Sequence, residues 1–370
     1  MQCTRRETSL IFTLQSVCYS LGNLLGGLLN QHIRLRKMLL VSAAAISSGL
    51  ILTSLGGSLS QIFISYGIIW GLGSGIMNNT VLSNGSRWFP DRPGFATGTM
   101  LSFFGVGSFL LGLLVSFTLA SAGWRGLFLT IGLFFGCLSL LLSFFITPPP
   151  IMPSDSTKAP GGLSAKEMLR TRSFWQLFCW AALLMTGGML ALSNAAPIAI
   201  SMGADVSLAG LIASLLALAN AFGRVGGGFL YDRLGSLKMI KLTDFIFLCS
   251  CFTMAAALFQ NSLGLLVITF FCMGITYGLT LMCSTTLVKE RYGARYYSTN
   301  LSVILITAIP SSLIGPGAAG FIKTRTGSYR GILFIMVFLL LLLLPLHHIQ
   351  LKAKSRTKTD QIPDPFDAKK

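Results

Sequence analysis

The sequence predicts an all-α integral membrane protein made of two related helical bundles. Composition, a series of apolar runs and a repeated loop carry that prediction. The 370 residues are 53% hydrophobic and only 11% charged, with a mean hydropathy of +0.72, well outside the range of soluble domains. The apolar runs are about 20 residues long, the length an α-helix needs to cross roughly 30 Å of hydrocarbon. The segment Gly228-Phe229-Leu230-Tyr231-Asp232-Arg233-Leu234-Gly235 lies between two such runs. A weaker copy, Gly26-Gly27-Leu28-Leu29-Asn30-Gln31-His32-Ile33-Arg34, lies between two earlier ones. Two halves that each carry the same hairpin loop fit a carrier that rocks one half against the other.

Eleven spans follow from the apolar runs and the polar, glycine or proline segments that bound them. Span 8–29 follows a polar start, Met1–Glu7, with no small-residue cleavage site after it, so it reads as a span and not as a removable signal. Spans 38–58 and 61–85 come next, the latter running to the loop Trp88–Arg92. Spans 95–120 and 126–147 complete the first half, which stops at Pro148-Pro149-Pro150. The second half holds 173–198, 207–230, 239–259, 262–287, 299–322 and 329–351. The expected organisation is an N-terminal bundle over 1–147, a central linker over 148–172, a C-terminal bundle over 173–351 and a charged, disordered tail over 352–370. Within the linker, Lys166–Arg172 is expected to form a short surface helix.

Charge alternates between the loops. The net charge of +17 invites a nucleic-acid reading, but the basic residues are spread among loops in a way that membrane orientation explains better. The side carrying Asp232 and Arg233 holds 21 of the 28 lysines and arginines, including Arg34, the linker and the tail. The opposite side holds six, and Arg224 is inside a span. By the positive-inside rule the linker and C-terminus are cytoplasmic, in a multi-pass protein of the plasma membrane.

The duplication is checked by offset. Gly26 maps onto Gly228 with a shift of 202, and Trp88–Arg92 maps onto Arg291–Arg295 with a shift of 203. Span 173–198 has no counterpart in the first half. The chain is therefore expected to be a twelve-helix array lacking its first helix, a native eleven-helix protein being the alternative.

Arg224 is the residue most able to carry chemistry. By helical rise it lies about 12 Å inside the membrane from Asp232. A buried arginine there costs a few kcal/mol on insertion scales, so it faces a cavity or a partner. Its guanidinium stays protonated and holds carboxylates by two parallel hydrogen bonds. The functional reading is an anion site; the alternative is snorkelling or pairing with Asp244. Asn220, one turn away on the same face, is the nearest companion. Tyr277, Asn194 and Tyr19 are further candidates to line the pathway, with Gln15, Asn23, Asn78, Asn79, Asn84 and Thr276 as other polar positions in spans. The loop motifs, with Gly228, Asp232, Arg233 and Gly235 in one copy and Gly26, Asn30 and Arg34 in the other, read as gating structure without substrate contact. Asn30 and Ile33 replace the acid and glycine of the second copy, so the first latch is expected to be weaker. Gly94, Gly98, Gly105, Gly107 and Gly112, and Gly315-Pro316-Gly317 with Gly320, read as packing and bending positions.

The eight cysteines are scattered and, like His32, His347 and His348, show no ligand spacing, so no metal or cofactor is expected. The glycosylation-type tripeptides at Asn84 and Asn300 fall in a span or facing the cytoplasm and are discounted. No phosphate-cradling G-x-x-x-x-G-K-[ST] loop occurs, and no acid–base constellation of an enzyme lies at one depth.

With those residues in view, the chain resembles the major facilitator superfamily. Within it, the resemblance is to the oxalate:formate antiporter family, with the monocarboxylate transporters as neighbours. The likeness rests on the two loop motifs, on Trp70-Gly71-Leu72-Gly73-Ser74-Gly75, on Trp88-Phe89-Pro90-Asp91-Arg92-Pro93-Gly94, on Ala219-Asn220-Ala221-Phe222-Gly223-Arg224 and on Tyr277-Gly278. The resemblance implies that Arg224 occupies the position of the arginine that holds substrate carboxylate in both groups. Where the oxalate carrier has a second cation, a lysine, this chain has Ala308. Where proton-coupled monocarboxylate carriers have an aspartate four residues before the arginine, it has Asn220. Both departures favour a monoanion carried by exchange or facilitated passage over proton symport. The partners implied are a small organic anion and the bilayer, without nucleic acid, for a monomeric carrier. A drug-type efflux carrier and a non-transporting truncated fragment are the competing readings.

Reporters placed in the 148–172 connection and after residue 351 are expected on the same side of the membrane. Labelling of single cysteines there with an impermeant reagent, before and after permeabilisation, checks this.

Overall fold

The computed structural model describes residues 5–147 and 162–343, and all the regular structure among them is helical. The proline-led part of the linker, the end of the last predicted span beyond Leu343 and the tail 352–370 lie outside the described residues. The first half runs α1 (Arg5–Leu29), α2 (Leu35–Ser54) and α3 (Leu59–Ile62), then a π-helical stretch Phe63–Trp70, α4 (Gly71–Gly85) and α5 (Pro93–Phe145). The second runs α6 (Ala165–Leu169), α7 (Arg172–Ser201), α8 (Val206–Leu234), α9 (Ser236–Gln260), α10 (Leu263–Tyr292), α11 (Tyr297–Leu305) and α12 (Ala308–Thr326), and then α13 (Ile332–Leu343). Among the described residues, eight helices are long and apolar enough to cross a membrane.

Among the described residues the predicted spans fall on helical structure, with local differences. The first two spans of the second half begin one residue earlier than predicted, each behind a polar N-cap, and run three and four residues further at their ends. Thr171 accepts from Phe174 N at the start of α7, and Asp205 accepts from Leu208 N at 2.6 Å at the start of α8. The fourth and fifth spans are one interrupted helix, turned only at Gly123, whose φ of 65° is open to glycine at no steric cost. The span holding Gly315-Pro316-Gly317 is also interrupted ahead of that segment. The helix is interrupted between Leu305 and Ala308, four residues ahead of Pro310, because proline removes the hydrogen bond to residue 306 and crowds its carbonyl. In the linker, α6 is closed by a capping box between Ser164 and Glu167. Hydrogen bonds from the Ser164 backbone and hydroxyl lower the pKa of the Glu167 carboxyl. That cap is therefore complete above the ordinary carboxylate range and is lost as pH falls below it through the lowered pKa.

Glycines set the helix crossings. A Cβ at Gly75 would sit 2.1 Å from the Tyr19 carbonyl oxygen, so α4 rides directly on α1. In the second half a Cβ at Gly278 would sit 2.3 Å from the Asn220 carbonyl oxygen, bringing α10 onto α8 in the same manner. The pairs Gly71, Gly75 and Gly274, Gly278 are related by the same shift of 203 as the loops, which extends the duplication from sequence to packing. Between the halves, Gly94 and Gly98 of α5 meet α8: a Cβ at Gly98 would lie 2.1 Å from the Arg224 carbonyl oxygen, and one at Gly228 would lie 2.3 Å from that of Gly94. The stripe is not uniform, since Gly107, Gly317 and Gly320 have nothing within 4 Å of a built Cβ. Behind the α8–α10 crossing, Phe174, Trp180, Phe247 and Phe270 fill the core of the second half.

A methyl group at Gly98 therefore overpacks a backbone contact, at a cost of about 1–3 kcal/mol. Gly98→Ala is expected to lower the thermal unfolding midpoint in detergent, whereas Gly226→Ala, with open space around its Cβ, leaves it within error.

Candidate functional site

Arg224 is 7% exposed and occupies the seam between the halves. Its backbone is held from both sides, by Gly98 of α5 and by Gly278 of α10, whose built Cβ lies 3.1 Å from Arg224 N. Nη1 donates to the Leu101 carbonyl of α5 at 2.5 Å, while Nε is buried without a partner. The Nε–Nη2 edge, one of the two that accept a carboxylate two-pronged, is thus left to a ligand. The titratable side chains in electrostatic reach of the guanidinium are Tyr277 of α10 and Tyr19 of α1. Asp244, the counter-ion considered from sequence, accepts from Trp180 Nε1 at 2.7 Å on the far side of the second half's core.

The other candidates divide. Tyr277 stands over α7 because residue 188 is glycine: a Cβ there would lie 2.6 Å from the tyrosine ring. Tyr19 projects from a segment held by Asn23, which donates to the Tyr19 carbonyl at 2.9 Å and accepts from Asn78 Nδ2 at 2.8 Å. Asn220 has its Oδ1 buried and unpartnered, one turn from the unpartnered Nε of Arg224. Two buried polar atoms without a hydrogen-bond partner in the protein thus lie on one turn of α8. Asn194, by contrast, spends its amide on the Leu190 carbonyl and Ser193 Oγ of its own helix.

Towards the basic face the halves close on each other. Asp232 accepts from Gly94 N and Phe95 N, both at 2.8 Å, so a carboxylate from α8 caps the first turn of α5. Arg233 lies 4.1 Å over the Phe229 ring, and Gly235 ends α8 at a φ of 78°. On the related seam, Gly27 lets α1 approach α11, and Asn30 Nδ2 donates to Ser298 Oγ at 3.1 Å. Asn79 donates to the Ser298 carbonyl at 3.0 Å. Gly26 packs on Ile76 of α4, while Arg34 is exposed and makes no side-chain cap. This seam is made by neutral side chains, without the charged cap of its counterpart.

Sequence reasoning missed one contact that its own offset encodes. Lys289 Nζ donates to the Ser86 carbonyl at 2.6 Å, and these two positions are themselves related by the shift of 203. Equivalent helix ends meet where the two halves are related to each other, so a residue facing its own counterpart was the available signal. Beside it, Tyr231 and Ser236 donate to Glu290. A cavity of about 380 Å³ opens there between Asp91, Asp232 and Lys289.

Removing the charge from the α5 cap costs about 0.5–2 kcal/mol, or roughly two- to thirtyfold in the closed population. Asp232→Asn is expected to raise the rate at which a cysteine placed at the buried Ser86 reacts with a water-soluble maleimide by that factor.

The comparisons with known proteins agree with this architecture. The Major Facilitator Superfamily profile matches residues 2–316. The oxalate:formate antiporter of Oxalobacter formigenes is 27% identical over 328 residues, covering 85% of this chain and 76% of that protein. Monocarboxylate transporter 12 of Rattus norvegicus is 24% identical over 357 residues, covering 86% and 73%. Among solved structures, the transporter FucP in the outward conformation superposes with a TM-score of 0.72 at 17% identity, over 94% of this chain and 91% of that one. The chain belongs to the Major Facilitator Superfamily: it is a multi-pass membrane transporter, not an enzyme.

Proposed function

We propose that the protein carries a small organic monoanion by alternating access, with the substrate carboxylate on the free edge of Arg224. The observation that carries this reading is a guanidinium buried between the halves, with Nε unpartnered and no acid among its titratable neighbours. Such a charge is tolerable in hydrocarbon only with an anion beside it or water in a cavity. Tyr19 and Tyr277 flank the carboxylate from opposite halves, and Asn220 Oδ1 accepts from a hydroxyl on the substrate. Asn194 lies further along the pathway. The relatives named for formate, oxalate and monocarboxylates support a carboxylate as the shared chemistry.

A second cation is missing at Ala308, which favours a monoanion over a dianion. Asn220 in place of an acid leaves no proton-carrying group beside the arginine, which favours exchange or facilitated passage. In this reading Asp232, Asn30 and Lys289 hold the cytoplasmic side shut while the site is reached from outside. In this reading the linker and tail are cytoplasmic, which the excess of lysine and arginine on that side supports, and the carrier works as a monomer in the plasma membrane.

Replacing Arg224 by glutamine removes a charged hydrogen-bonding group worth roughly 1.5–3 kcal/mol, or ten- to over a hundredfold in apparent affinity. Uptake of formate, lactate and oxalate into proteoliposomes is the measurement. The carried anion is expected to lose uptake by that factor in Arg224→Gln, and unchanged uptake ends the proposal.

A further inference from the structure

Away from the seam, a groove of about 530 Å³ runs between α9 and α13, with an apolar lining except at one end. Its walls include Phe252, Phe259 and Phe334, and its depth comes from small residues, Ala255 and Gly331. Gly331 allows the α12–α13 turn to fold tightly, since a Cβ there would lie 2.5 Å from Ile322. The polar end is Arg330, on the face that is otherwise poor in basic residues.

Three of that face's six cations, Lys323, Arg325 and Arg330, fall in this one turn. Two of them are engaged by the protein. Lys323 Nζ donates to the Gly327 carbonyl at 2.7 Å and lies over Tyr329, while Arg325 lies over Phe321. The Arg330 guanidinium is exposed, and among the described residues it takes no partner. An apolar groove ending at an unpartnered cation, with two more cations close by, is complementary to a chain-bearing anion.

We propose that this groove seats one anionic phospholipid, its acyl chain between Phe252, Phe259 and Phe334 and its phosphate on Arg330. Lys323 and Arg325 repel a choline headgroup and so select for net negative charge. The seat is on the lipid-facing side of the second half and stands independently of the anion site at Arg224.

Native mass spectrometry of the purified protein, titrated with phosphatidylglycerol or with phosphatidylcholine of the same acyl chains, tests the proposal. The protein is expected to retain phosphatidylglycerol in preference. Arg330→Gln is expected to lower that retention about fivefold, as for removal of one charge near a lipid surface, and to lower that of phosphatidylcholine less. Ala255→Trp, which fills the groove, is expected to lower retention of both lipids. Glycerol phosphate, which has no acyl chain, is expected not to compete. Equal retention of the two lipids, an unaltered preference in Arg330→Gln, undiminished retention in Ala255→Trp, or displacement by glycerol phosphate would each overturn it.

Discussion

The structure depends on a backbone contact, the clasping of α8 between two glycines. Gly98 presses on the carbonyl of Arg224 from one half, and Gly278 presses on its amide from the other. A side chain larger than hydrogen at either position would push its helix off α8, and at Gly98 the guanidinium would then lose the Leu101 carbonyl. Close approach of small residues is how helices associate where no hydrophobic effect acts between them. Here the same approach fixes the depth and direction of Arg224, the one charged side chain that is buried among the described residues. The fold and the site are therefore specified by the same residues.

That coupling explains why so much was legible in the sequence. Span positions follow from apolar run length, because hydrocarbon thickness fixes it. The duplication was visible in two loops, and it reappears at Gly71, Gly75, Gly274 and Gly278, which carry equivalent crossings. Arg224 stood out because a permanent charge in an apolar run has few tolerable settings. Its neighbour Asn220 followed from helical spacing alone.

What was not legible depends on three-dimensional juxtaposition. The interruption before Ala308 was not read from the sequence, where attention went to Gly315-Pro316-Gly317, because a proline acts on the residue four places before it. The π-helical stretch Phe63–Trp70, where Tyr66 stacks on Trp70 with centroids 4.6 Å apart, left no period in the sequence that separates it from an α-helix. Asn194 looked equivalent to Asn220 as a polar residue in a span, yet it is satisfied by its own helix. The Leu101 carbonyl is a backbone group, which residue identity does not reveal.

The two seams of the basic face are related by duplication but not by strength. One is a carboxylate on two backbone amides at the start of a helix. The other is a set of amide and hydroxyl contacts around Ser298. A hydrogen bond to an ionised acceptor is roughly twice as strong as one between neutral groups, so the acidic seam concentrates in two contacts what the neutral seam spreads over several.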